Sequence, residues 1–299
     1  MSVPDGLVPV LEVGGTHVTA ALVSLFGGTP IVLDHFRFEL RSSGPADDII
    51  GQLASAASRL EVKDSRAWGI AIPGPFDYAA GIGRFEEVGK FESLNGFDLR
   101  AALIATIHAT PRSVSFVNDA DAFGLGESAG GAARHYDRAV CLTLGTGVGS
   151  AFIASGVPIN DGPTVPRDGS AHVLEWNARP LEEAVSRRAI RARYAELTDE
   201  DLDVHDIAQR ARLGDEAAAV VLNDAMRALG FAIAPWIDSF AAEILVVGGS
   251  ISKSWDILER PLRVGITSAR PRLAQLALAP AALPNDAPLI GAALSILEQ

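Results

Sequence analysis

The sequence predicts an α/β protein of two lobes with a cleft between them, and three observations predict it. Strand-like apolar runs and helical periodicities are mixed in both halves of the chain. A strand, glycine turn, strand unit occurs at Gly14-Gly15-Thr16 and again roughly 130 residues later at Gly145-Thr146-Gly147, which reads as an internal duplication. The 299 residues, 48% of them hydrophobic, suit two cores better than one.

In chain order, residues 8–13 form an apolar run, the glycine turn follows, and 17–24 form the returning strand of a hairpin. Partial alternation marks a third strand over 31–40. Over 46–60, Ile49, Ile50, Leu53, Ala57 and Leu60 share one helical face. Residues 67–72 make a strand that stops at Pro73-Gly74-Pro75, and 114–117 a strand leading into Asn118-Asp119-Ala120-Asp121. A helix of small residues follows over 122–129. The second half repeats the hairpin with strands 138–144 and 148–153, then helices over 181–197 and 216–240. Residues 243–247 form a strand entering Gly248-Gly249-Ser250, and 290–297 a closing helix.

Composition narrows the function. The formal charge of -12 disfavours nucleic acid as a partner, because an acidic surface repels a phosphate backbone. Cys141 is the one cysteine and lies in an apolar run, so no disulfide framework or multi-cysteine zinc site is expected. No leader pattern is read at the N-terminus. The longest apolar tract, 228–237, contains Gly230 and is interrupted by Pro235, too short to span a bilayer. No membrane contact and a cytoplasmic location are therefore expected.

Two kinds of site emerge. Glycine turns present backbone N–H groups without obstructing side chains, as a phosphate chain requires, and threonine adds a hydroxyl. Gly14-Gly15-Thr16, Gly145-Thr146-Gly147 and Gly248-Gly249-Ser250 each fit, although each also fits an ordinary turn. None has the P-loop arrangement. Asp119 is the candidate acid–base residue: phosphoryl transfer to a hydroxyl needs positioning, charge neutralisation and a carboxylate to take the proton. Asn118, Asp119 and Asp121 equally suit helix capping, and Asp121 is assigned that role.

In this order, Glu12 to Thr16, Gly69-Ile70-Ala71-Ile72-Pro73-Gly74-Pro75, Asn118-Asp119-Ala120-Asp121, Leu144 to Gly149, Leu181-Glu182 and Val246 to Ser250 resemble the ROK family of bacterial sugar kinases. The resemblance covers nearly the whole chain. It implies the two-lobed actin-like ATPase (ribonuclease H-like) fold, a phosphotransferase acting on a hexose hydroxyl, ATP with Mg²⁺ as donor, and commonly a homodimer. It implies Asp119 as general base and Gly74, Asn118, His172 and Glu182 on the sugar. Glu12, Gly14, Gly15, Thr16, Gly145, Thr146, Gly147, Gly248 and Gly249 would face the nucleotide. The expected lobes are 1–120, joined by a C-terminal helix at 286–299, and 121–285, with the second phosphate turn and the nucleotide site.

Three departures accompany the resemblance. The histidine-plus-three-cysteine zinc motif is missing from 173–180, so no zinc is expected. The family's glutamate three residues before the histidine is Gly169 here, leaving Asp168 or Glu175 to supply that contact. The first phosphate turn begins with Glu12 in place of aspartate, which moves the carboxylate by about one C–C bond. These departures keep open a weakly active or inactive sugar sensor. A DNA-binding repressor is not expected, as no helix-turn-helix fits ahead of the first turn. A polyphosphate donor is a further alternative. It would want a basic track, for which Arg187, Arg188, Arg191 and Arg193 are the candidates, although their spacing also suits a solvated helix face.

Overall fold

The computed structural model describes residues 6–62 and 66–297. The expected absence of an N-terminal leader concerns residues 1–5, and the expected closing segment ends at 298–299; these lie outside the described residues. The chain divides into two compact units, Met1–Gly130 with Asn285–Gln299, and Gly131–Pro284.

The first unit opens with an antiparallel meander of β1 (Leu7–Val13), β2 (His17–Ser24) and β3 (Ile31–Glu39). Then come α1 (Ala46–Ser58), β4 (Ala67–Ile72), the short pair β5 (Phe76–Asp77) and β6 (Ile82–Gly83), α2 (Leu99–Thr106), β7 (Ser113–Asn118) and α3 (Asp119–Gly130). The five-stranded sheet has the order β3-β2-β1-β4-β7, with β4 parallel to both β1 and β7. Val8, Val10, Leu11 and Val13 are all buried because β1 is central, with α1 and the closing helix Ala287–Leu294 packed against it. The closing helix joins this unit through close backbone approach. A Cβ at Gly69 would overlap the Ala292 backbone, one at Gly126 the Ala287 backbone, and one at Gly291 that of Ala122.

The second unit has β8 (Arg138–Leu144), β9 (Val148–Ala154), β10 (Val157–Pro158), the short pair β11 (Glu175–Trp176) and β12 (Arg179–Pro180), and α4 (Glu182–Val185). It continues with α5 (Arg187–Thr198), α6 (Val204–Arg212), α7 (Glu216–Phe240), β13 (Ile244–Gly248), α8 (Trp255–Ala269) and β14 (Ala277–Pro280). Its sheet, β10-β9-β8-β13-β14, repeats the order and directions of the first: three antiparallel strands, then two parallel additions.

Several expectations need correction. The helix expected over 181–197 is two, because Ser186 is extended (φ -70°, ψ 158°) and its hydroxyl caps α5 by accepting from the Ala189 N–H. α3 starts at Asp119 itself, three residues earlier than expected. The apolar tract at 228–237 belongs to a 25-residue helix, α7, which by length and composition alone is long enough to cross a membrane. Its apolar face instead forms much of the second unit's core, with Leu229, Ile233, Ile237 and Phe240 fully buried.

Candidate functional site

In the first unit, the hairpin register sets Glu12 opposite Thr19. Thr19 Oγ1 donates to Glu12 Oε2 at 3.1 Å, and His17 Nε2 lies 3.4 Å from the same oxygen. Glu12 Oε1 accepts no hydrogen bond among the described residues. The His17 ring covers the turn: a Cβ on Gly14 would stand 2.6 Å from its Cε1. Ser42 Oγ donates to the Gly15 carbonyl at 2.5 Å, and the Phe91 N–H donates to the Ser42 carbonyl at 2.8 Å. This chain of contacts holds Lys90 over the turn, its Cδ 3.7 Å from where a Gly15 Cβ would be. Thr16 is exposed.

Asn118 ends β7 and caps α3, its Oδ1 accepting from the Ala120 N–H at 2.9 Å and the Asp121 N–H at 3.3 Å. The cap is therefore Asn118. Asp121, expected to cap, sits inside the first turn with its side chain buried. Asn118 Nδ2 donates to Tyr78 Oη at 2.9 Å, and that hydroxyl donates onward to the Ile72 carbonyl at 3.2 Å. One Nδ2 hydrogen remains for another acceptor. Gly74 adjoins this pair: a Cβ there would be 3.4 Å from Tyr78 Oη and 3.9 Å from Asn118 Nδ2. Burial also pushes the Tyr78 phenol upward, so it stays a neutral donor.

Asp119 is reached by solvent, yet the protein crowded around it removes enough water to push its carboxyl above the usual carboxylate range. The Lys90 charge and the Ala120 N–H, 2.9 Å from Oδ1, pull the other way, and Glu12 adds a smaller upward push. The structure thus gathers Glu12, Gly14, Gly15, Gly74, Asn118 and Asp119 in the first unit, together with four residues the sequence did not single out: His17, Thr19, Tyr78 and Lys90. Thr19 was discoverable from the hairpin register. Lys90 had no local marker, since it depends on contacts with residues far away in the chain.

In the second unit, the Gly145 N–H donates to the Gly147 carbonyl at 3.1 Å, closing the turn, and Thr146 is exposed at its tip. The first N–H of α5, from Arg187, donates to the Gly145 carbonyl at 2.8 Å. Gly249 has φ +85°, and a Cβ there would overlap the Leu144 backbone; this close approach places Ser250 Oγ 3.8 Å from the position of a Gly145 Cβ. Gly248 ends β13. Glu182 lies against the same turn, with Oε1 2.5 Å from where a Gly147 Cβ would stand.

His172 is exposed, in the single turn Ala171–Val173. Buried Ser150 pins that stretch to β9, its Oγ donating to the Gly169 carbonyl and accepting from the Ala171 N–H, both at 2.7 Å. Gly169 has φ +63°, and a Cβ would meet Asn160 Oδ1 at 2.5 Å, so no glutamate fits here without a shift. Asp168 is exposed, its Oδ2 3.8 Å from Arg167 Nε, and Glu175 pairs with Pro180 in the β11–β12 hairpin. That hairpin, turning through Asn177 (φ +51°) and Ala178 (φ +59°), occupies the stretch where the family carries its zinc motif. Its Trp176 packs edge-on against Phe231 of α7, 5.2 Å between centroids. The residues present do not fit zinc: Cys141 is buried in β8, and among the described residues no three His, Cys, Asp or Glu side chains gather.

The ROK family profile matches residues 9–166 and 177–299, leaving out the stretch that contains Gly169 and His172. The chain is 32% identical to a glucokinase of Thermotoga maritima over 278 residues, 85% of this chain and 84% of that protein. It superposes on a ROK hexokinase of Thermus thermophilus with a TM-score of 0.78 at 25% identity, covering 98% of both chains. A ROK glucokinase of Streptomyces griseus, in complex with glucose and AMPPNP, gives 0.76 at 24% identity over 96% of this chain and 98% of that one. These likenesses give the actin-like ATPase fold. Because the matched stretches take in both sheets and all three glycine turns, this chain belongs to the ROK family.

Proposed function

We propose that this chain is an ATP-dependent sugar kinase that phosphorylates a hydroxyl of a glucose-like hexose, with Asp119 as general base. The observation that carries the reading is Asp119 at the head of α3, its carboxyl pushed upward and facing the Lys90 charge, beside the Asn118–Tyr78 pair. A raised carboxyl is a better proton acceptor than an ordinary one. The hexose hydroxyl oxygen bonds to the γ-phosphorus, the bond from phosphorus to the β–γ bridging oxygen breaks, ADP leaves, and the hydroxyl proton passes to Asp119. The remaining Nδ2 hydrogen of Asn118 and the open face of Gly74 suit a neighbouring sugar hydroxyl. Glu182 and His172 are assigned to the sugar on the family resemblance alone.

Gly145, Thr146, Gly147, Gly248 and Gly249 would receive the nucleotide's phosphates through backbone N–H groups, and Gly14, Gly15 and Thr16 would offer a second set. Mg²⁺ arriving with ATP would neutralise charge on the β- and γ-phosphates. The free Oε1 of Glu12 fits a hard cation that keeps its water shell.

Asp119→Ala should lower kcat for Mg²⁺–ATP-dependent hexose phosphorylation by about 100- to 10,000-fold while leaving sugar affinity nearly unchanged. ADP release across a panel of hexoses and amino sugars, with calorimetry for sugar binding, measures both. Wild-type protein that turns over none of them would overturn the reading. Tight sugar binding without turnover would then favour the sensor, a reading supported by Glu12 Oε2 being engaged by both Thr19 and His17 and by Gly169 leaving no room for a glutamate.

A further inference from the structure

Beside the second glycine turn lies a cavity of about 510 Å³, lined by Thr146, Arg187, Arg188, Arg191, Ala192 and Asp201. That volume is of small-ligand size. Three arginines face it in a chain with only 25 basic residues against 37 acidic ones. Two are already neutralised. Arg187 makes a two-pronged pair with Asp203 at 2.7 and 2.8 Å, and Arg191 pairs with Asp201 through Nε at 3.2 Å and Nη2 at 2.8 and 2.9 Å. Arg188 has no ion pair or hydrogen bond among the described residues, so the cavity keeps one uncompensated guanidinium.

Helix stability does not explain that cation. Arg187 and Arg188 are the first two residues of α5, whose first turn holds no acidic residue. Positive charge at a helix N-terminus opposes the helix dipole and is unfavourable unless an anion comes to it. The helix is also aimed: the Arg187 N–H is bonded to the Gly145 carbonyl, which fixes the arginines relative to Thr146. A planar guanidinium beside an amide-lined turn suits phosphate oxygens, which it can bind in pairs.

We propose that this cavity binds the phosphoanhydride chain of the donor and that Arg188 is the side chain that grips it. The site rests on the kinase reading for its purpose, but not for its existence. Two sources share this chemistry, a nucleoside triphosphate and inorganic polyphosphate.

Calorimetry with ATP, inorganic tripolyphosphate and adenosine tests the site on wild-type protein, Arg188→Gln, Arg188→Glu and Arg193→Gln. Arg193 pairs with Glu196 and does not line the cavity, so its variant should behave as wild type. We expect ATP to bind about 10-fold more weakly to Arg188→Gln and about 100-fold more weakly to Arg188→Glu, with adenosine unchanged and sugar KM unaltered. Parallel losses for tripolyphosphate, with turnover from it, add polyphosphate as a donor; no tripolyphosphate binding by wild type assigns the site to the nucleotide. Arg188 is exposed, so melting temperatures should not move; if Arg188→Glu melts early, Arg188→Gln carries the test. Unchanged ATP and tripolyphosphate affinity in both Arg188 variants overturns the site, as does wild type that binds neither. Arg188-dependent binding without any sugar phosphorylation keeps the site and sinks the kinase reading instead.

Discussion

The two sheets have the same strand order and the same strand directions, but their strand ends carry different chemistry. In the first unit the ends bear side chains that can hold or move a proton or meet a cation: Glu12 on β1, Asn118 on β7 and Asp119 just beyond it. In the second unit the position equivalent to Glu12 is Thr143 on β8, the counterpart of β7 is β14, ending at Pro280, and bare glycine backbone follows β8 (Gly145 to Gly147) and closes β13 (Gly248-Gly249). The turns differ in the same sense. The first is covered by the His17 ring and the Lys90 stem, while the second leaves Thr146 exposed and has a helix N–H bound to its carbonyl. A duplicated sheet thus supplies two scaffolds of one geometry, and on the proposed reading the acid–base group belongs to the first while both offer glycine backbone to an anion.

The glycines that follow the parallel strand next to each hairpin give the strongest way to break this comparison. Gly249 follows β13 with φ +85° and its backbone against Leu144; Gly74 follows β4 without a positive φ, its nearest neighbours side-chain atoms of Tyr78 and Asn118 and the Phe76 backbone N, at 3.4 Å or more. Gly249→Ala should therefore cost about 2–3 kcal/mol of stability, visible in thermal or denaturant unfolding. Gly74→Ala should leave the melting temperature nearly unchanged and raise sugar KM instead. Equal destabilisation by the two would show that the loops do not differ as described.

The next effect in size concerns the cation of the acid–base edge. Lys90→Gln removes the charge that acts on Asp119 without altering the turn's backbone. A fall in kcat of about 100-fold, with sugar KM nearly constant, is expected. Lys90→Arg should recover part of it. A wild-type kcat in Lys90→Gln would confine Lys90 to covering Gly15.

Much of the frame was legible before the structure. Both hairpins announce themselves by apolar runs on either side of glycine turns, and Asn118-Asp119 is marked by a strand running into a helix of small residues. What stayed hidden needed tertiary information. Helix α8 carries Pro261 in its interior, and β14 is only four residues long and gains its identity by pairing with β13. The break at Ser186 is silent because helical spacing continues on both sides of it. Lys90 reaches the turn because Phe91, at φ +57° and fully buried, is tied to Ser42, a contact across nearly fifty residues that no local pattern encodes. The charge imbalance at the start of α5 was visible as a run of arginines, but only the ion pairs of Arg187 and Arg191 single out Arg188.

The smallest expected effect bears on the cost of the acid–base edge. Asp119 has a carboxyl pKa raised by folding, so its ionised form is less favourable in the native state than in the unfolded chain. The sign follows: this group favours folding while it is protonated, below its unfolded value, and that contribution is lost as pH rises through the raised native value. Above the raised value the native state bears the full penalty, which Asp119→Asn removes. The variant should therefore melt slightly higher than wild type at pH 7, by about 1–2 °C given the water that still reaches the group, and the difference should shrink as pH falls through the raised value. The same substitution removes the proposed proton acceptor, so a more stable protein should be an inactive one. No comparable gain is expected at the second sheet's glycine turns, where the candidate phosphate-binding groups are uncharged backbone amides and carry no such penalty. A melting temperature for Asp119→Asn that is lower than wild type across this range would mean that Asp119 stabilises the fold, and that the first edge, like the second, is built for structure before chemistry.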